Sequence, residues 1–137
     1  MAHFNGKWEL YSSEQFEEYM AAIGVSPENI KKATVALSAS SKLVQQISVS
    51  GEDWTIKVVT NSGEKAINFK LGEEFSTSTL DGRPVKATLN LEGDKLVEIH
   101  KGDGFETKSI RTVSGGEMTM VLSGNGVTCT RKYKKVD

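Results

Sequence analysis

The stretch "SGEDWTIKVVTNSGEKAINFKLGEE", residues 50–74, decides the fold. Two short runs rich in β-branched and aromatic residues, "WTIKVV" and "AINFKL", lie between turns at "SGED" 50–53, "NSGE" 61–64 and "LGEE" 71–74. Such runs read as strands, and Gly/Asp/Asn turns this short join them as antiparallel neighbours. The punctuation continues at "LDGRP" 80–84, "EGDK" 92–95, "KGDG" 101–104, "SGGE" 114–117 and "SGNG" 123–126, enclosing "VKATLNL", "KLVEI", "TKSIRTV" and "MTMVL". Adding "KWELY" near the start, "KLVQQISV" at 42–49 and "VTCTRKYKKVD" at 127–137 gives about ten strands. A meander of that size favours closure into a barrel, since an open sheet leaves two exposed edges.

Residues 12–37 break the pattern. In "SSEQFEEYMAAIG", Phe16, Tyr19, Met20 and Ile23 form one apolar helical stripe, with Glu14, Glu17 and Glu18 around the remainder. Ser12 with Gln15 reads as a capping box and Gly24 as the stop. A second helix follows, with Ser26 as cap and Pro27 at its first position, continuing through "ENIKKATVAL". The expected order is strand, helix–turn–helix, then an uninterrupted meander: one domain over residues 1–137, with no repeat or linker.

Composition narrows the function. Seventeen basic against eighteen acidic residues give a net charge of −1, and the bases are scattered, which argues against nucleic acid as a partner. One cysteine excludes an intramolecular disulfide, and no Cys/His cluster points to a metal. A reducing cytoplasm fits this usage. No secretion signal and no stretch near 20 apolar residues is visible, so the chain reads as soluble and unprocessed. His3 and His100 are the only histidines, and no nucleophile–base or phosphate-loop pattern accompanies them, so catalysis has little support and no cofactor is implied.

The closing strand carries the functional signal. Lys132 and Lys134 mark its wet face, which places Val127, Cys129, Arg131 and Tyr133 on the other. Arg131 is then a charge on an inward face, where it needs an anion from the protein or from a ligand. In "TKSIRTV" the strand groups Thr107, Ser109, Arg111 and Val113, although the opposite face holds Lys108 and Ile110 and pattern alone does not fix its direction. The apolar helix stripe is by default plain core, but over one open end of a barrel it would face the barrel contents.

These residues bring the chain close to a known group. Gly6, Trp8 and Leu10, then Phe16, Glu17, Tyr19 and Met20, followed in order by "FKLGEEF" 69–75, "DGRPVK" 81–86, "GDKLV" 93–97 and "CTRKY" 129–133, resemble the intracellular lipid-binding proteins along the whole length. That family includes the fatty-acid-binding and cellular retinoid-binding proteins. Gln15 departs from the family's usual Asn, His or Gly, Ser62 stands where a portal phenylalanine is common, and Ser109 where heart-type members carry leucine. The last two make the cavity rim and interior more polar.

The resemblance implies a mostly β fold, a ten-stranded antiparallel up-and-down barrel, or β-clam, capped by a helix–turn–helix lid over a lipid cavity. It implies a monomeric, cytoplasmic, non-enzymatic carrier of a long-chain fatty acid, without cofactor. By position, Arg111, Arg131 and Tyr133 match the family's carboxylate-binding trio. Relatives that bind retinol tend to carry glutamine there, so both arginines favour an acid, which Arg meets through strong charge-assisted hydrogen bonds. Phe16, Tyr19, Met20, Ile23 and Val25 match the helix face that touches the tail; Leu80, Met120 and Leu122 match cavity walls; Asp81 and Arg83 match a pair under the portal; His100 and Ser109 match inward polar positions. Cys129 reads as a small wall residue. Lys31 and Lys32 offer the lid a transient contact with membranes, although lysines on a short helix are commonly just solvated. The alternatives are a carrier of retinoic acid, bile acid or another bulky amphipathic acid, a membrane-associating structural protein, and a lipid isomerase using Tyr133 or His100.

Overall fold

The computed structural model describes residues 4–38, 42–61, 63–79 and 82–136. In chain order the elements are β1 (Gly6–Glu14), α1 (Phe16–Ala22), α2 (Pro27–Ala36), β2 (Val44–Ser50), β3 (Asp53–Thr60), β4 (Gly63–Lys70), β5 (Phe75–Ser78), β6 (Pro84–Glu92), β7 (Lys95–Gly102), β8 (Phe105–Ser114), β9 (Glu117–Gly124) and β10 (Val127–Lys135). Every ladder is antiparallel, and the order across the sheet is β4-β3-β2-β1-β10-β9-β8-β7-β6-β5. The last strand closes onto the first, giving the expected helix-capped barrel. Among the described residues β4 and β5, at the two ends of that order, share no ladder, so the barrel is nearly rather than fully closed.

Two local expectations fail. The runs picked out in the sequence omit β5, "FSTS", whose Ser/Thr composition hides a strand paired on one side only, with β6. The capping box is also wrong: Ser12 lies inside β1, and α1 is entered through Gln15 in the left-handed region at φ 62°, without a side-chain cap. The cause is a bulge. Leu10 pairs with Tyr133 but Ser12 pairs with Lys132, so Tyr11 is the extra residue and the strand's parity flips after it. The flip turns Ser13, not Ser12, toward Arg131, its partner in the register. The second helix follows its signals: Ser26 Oγ accepts from the Asn29 N–H at 3.3 Å, and Pro27 takes the first turn.

Burial falls into two apolar groups. One, around Phe4, Trp8, Leu10, Ile47, Trp54, Phe69, Leu89, Leu96 and Met118, fills the barrel between its walls. The other docks the lid: Tyr19, Met20, Ile23 and Val25 pack with Cys129, and Phe16, Ile30, Ala33, Leu122 and Val127 surround them. A Cβ added at Gly124 would sit 2.6 Å from Ile23 Cγ2, so glycine there lets the lid approach the wall of β9. Between the two groups lies the cavity.

Candidate functional site

A cavity of about 640 Å³ runs from beneath α1 and α2 into the barrel, within the range of small-molecule sites. Of the site residues expected from the sequence, Phe16, Tyr19, Met20, Ile23, Val25, His100, Ser109, Arg111, Met120, Leu122, Arg131 and Tyr133 all line it. Leu80, Asp81 and the portal position Ser62 lie outside the described residues. Arg83 sits beside the cavity. Its guanidinium lies 4.2 Å from the Phe105 ring centroid and Nη1 donates to the Ile23 carbonyl at 2.8 Å, so it ties the end of α1 to the barrel.

The register explains how the arginines meet. Arg111 on β8 and Arg131 on β10 both stand opposite Met120 on β9, so the row Arg111–Met120–Arg131 crosses three neighbouring strands on the inner face. Two strand steps separate the arginines, roughly 10 Å between backbones. Tyr133 lies one pleat beyond Arg131 on the same face. Arg111 and Arg131 are 4% and 3% exposed, which settles the direction of Arg111 that pattern left open.

Their charges are met differently. Arg111 Nη1 donates to Glu98 Oε1 at 2.7 Å and Nε to Gln45 Oε1 at 3.1 Å. Glu98 Oε2 is 2.5 Å from His100 Nε2, and Gln45 Nε2 donates to the Tyr133 hydroxyl at 3.0 Å. Burial, the largest influence, pushes the Glu98 carboxyl up, but the Arg111 charge and the hydrogen bond from His100 pull it down to about 2. Glu98 is thus an ionised internal partner for Arg111. Arg131 donates to Ser13 Oγ at 3.2 Å and to the Leu37 carbonyl, and its Cζ lies 4.2 Å from the Phe16 ring centroid. Among the described residues it is met by neutral groups only, both acceptors and ring coming from β1 and the lid. Among the described residues the Tyr133 hydroxyl donates only to Met120 Sδ, 3.9 Å away. The thiol of Cys129 is fully buried against α1, and burial pushes it up, which makes it a wall residue and a poor nucleophile.

With that geometry in view, comparison with known proteins is decisive. Residues 5–136 match the model of the lipocalin and cytosolic fatty-acid-binding protein family. The chain belongs to that family. Its relatives include a sodium/calcium exchanger regulatory protein from Doryteuthis pealeii, 40% identical over 99% of this chain and 98% of the relative. The cellular retinoic acid-binding protein 2 of Mus musculus is 37% identical over 97% and 98%. Among solved structures, the fatty acid transporter REP1-NXSQ superposes with a TM-score of 0.90 at 39% identity, covering 100% of this chain and 98% of that one. Lipid binding and transport in general are therefore this lipocalin-type chain's business.

Among the cavity residues of this member of the cytosolic fatty-acid-binding family that escaped the sequence reading are Glu98, Gln45 and Lys65. All three carry a signal. Leu96, Glu98 and His100 alternate on one face of β7; Leu43, Gln45 and Ile47 do so along β2; Lys65, Ile67 and Phe69 do so along β4. Lys65 Nζ reaches across the β4–β5 gap to the Ser78 carbonyl at 2.5 Å, Ser78 Oγ at 3.1 Å and the Thr79 carbonyl at 3.4 Å. Burial pushes this ammonium below its ordinary value, and the Glu98 charge opposes that shift.

Proposed function

We propose that the chain is a non-enzymatic, monomeric, cytosolic carrier that binds a long-chain fatty acid non-covalently inside the barrel, with its carboxylate at Arg131, Tyr133 and Arg111. The observation that carries this reading is Arg131: a guanidinium 3% exposed, in the wall of a lipid-sized cavity, with neutral partners. A buried charge of that kind is costly, and an incoming carboxylate offsets the cost. Tyr133 adds an O–H donor. Arg111 contributes less, because Glu98 already holds it. Affinity comes mainly from the tail at about 0.8 kcal/mol per methylene buried, before the costs of association. Release requires α1 and α2 to lift, since Leu37 and Phe16 touch Arg131 directly. Transient contact with membranes through the lid is supported only by the exposed Lys31 and Lys32, and Lys32 already faces Glu28 at 3.5 Å.

The test is titration of Arg131→Gln with palmitate and with hexadecanol. Loss of acid affinity well beyond the loss of alcohol affinity is the expected result; equal losses would make Arg131 a structural residue. A second reading, retinoic acid or another bulky amphipathic acid, is favoured by the likeness to the retinoic acid-binding relative. Competition of retinoic acid against a bound fluorescent fatty acid ranks the two.

A further inference from the structure

Lys65 is the cavity charge that the carrier reading leaves without a task. The register carries it inward: Lys65 stands opposite Val58, Val58 opposite Gln45, and Gln45 opposite Trp8, all on the inner face. Its three acceptors, the Ser78 carbonyl, Ser78 Oγ and the Thr79 carbonyl, are neutral, and among the described residues it has no carboxylate partner. The contact with Thr79, at 3.4 Å, is the longest and the one an anion would displace.

Charge balance across the cavity gives the chemistry. Among the described residues, Arg111, Arg131 and Lys65 are cations in its wall and Glu98 is the buried anion, while Lys32 stands at the exposed rim facing Glu28. Among these four wall groups the cations outnumber the anion by two. A monocarboxylate answers one of them, at Arg131. The second excess charge lies on another part of the wall: β4 and β10 are four strand steps apart, roughly 19 Å measured along the curved sheet at ~4.8 Å per step rather than straight through the cavity. An acyl chain can follow that wall, whose lining between the two cations includes the apolar Ile56 and Val58 of β3 beside the polar Gln45 of β2.

We propose that the cavity accepts a long-chain acid bearing a second carboxylate at its far end, with Lys65 as the cation that receives it at the β4–β5 gap. The proposal rests on the carrier reading above, since it takes the first carboxylate to lie at Arg131. The burial that depresses Lys65 in the free protein is opposed by any anion placed beside it, as Glu98 already opposes it from a distance.

Calorimetric titration with hexadecanedioate and palmitate, equal in length, tests this on the wild type, Lys65→Met and Lys65→Arg. A charge-assisted hydrogen bond of about 1.5–3 kcal/mol corresponds to a loss of about tenfold or more. Lys65→Met is expected to lose at least that much diacid affinity relative to its palmitate affinity, and Lys65→Arg to restore most of it. Should Lys65→Met fold poorly, Lys65→Gln makes the same comparison. Equal loss for the two acids, or no loss for either, overturns the proposal, as does a wild type that takes palmitate and rejects the diacid. If 16-hydroxypalmitate shows the same Lys65 dependence as the diacid, charge is not what Lys65 reads and the proposal fails. A wild type that binds neither acid overturns the carrier reading itself, so the two failures are distinguishable.

Discussion

Arg111 and Arg131 stand opposite the same methionine, yet removing their charges has unequal consequences for the fold. Arg111→Gln strands the Glu98 carboxylate in a site 6% exposed, and breaking a buried pair from one side costs about 3–5 kcal/mol. Arg131→Gln deletes a charge held by neutral groups, so stability should change by less than about 1 kcal/mol while acid binding falls; urea unfolding of both variants separates the two. The Glu98 carboxyl also sets the acid limit. Its folded value of about 2 lies below the ordinary 4.5, so its contribution is complete above about pH 4.5 and is lost as pH falls toward 2. Glu98→Gln should therefore be less stable at neutral pH and lose less on acidification through that window, a difference of the order of 3 kcal/mol in pH-dependent unfolding. Arg131 and Tyr133 were legible in the sequence because Lys132 and Lys134 mark the wet face. Glu98, Gln45 and Lys65 were not, because a lone polar residue on a strand is by default assigned to solvent, and only the apolar neighbours two positions away say otherwise.

At the scale of elements, the antiparallel meander followed from turn chemistry, and what stayed hidden was where local signals yield to pairing. The Ser12–Gln15 box has the right residues for a helix start, but β10 draws β1 on to Glu14 and the Tyr11 bulge then re-aims the chain. β5 lacks the branched and aromatic residues that announce a strand, and exists because β6 offers it a partner. The lid is held partly by fit. Gly124 lies on β9 under Ile23, outside the left-handed region, so a substitution there acts through space alone. Gly124→Ala must push Ile23 away, at a cost of about 1–3 kcal/mol for overpacking. Because that strain is relieved when the lid lifts, ligand release should accelerate, several-fold or more in stopped-flow transfer of a fluorescent fatty acid, while the barrel's urea midpoint moves less. Unchanged release would place the exit elsewhere than under α1.

For the whole molecule, the nearly closed barrel has one seam. Nine neighbouring strand pairs are laddered, and the two terminal strands of that order, β4 and β5, each keep one flank of backbone groups out of the sheet. Among the described residues the side-chain links across the seam are the Lys65 bonds to Ser78 and Thr79, a side chain standing in for a ladder. Edge strands open at lower free energy than strands paired on both sides, so amide exchange should be fastest in β4 and β5 and slowest in β8 and β9, by about tenfold or more. Lys65→Met should speed exchange in β4 and β5 further and leave β8 and β9 unchanged, since no contact of Lys65 reaches them. A bound acid that spans the cavity from Arg131 to Lys65 would tie the seam to the opposite wall. Hexadecanedioate should then protect β5 more than palmitate does, whereas equal protection by both would mean that the seam closes on tail burial alone and that the second charge plays no part in it.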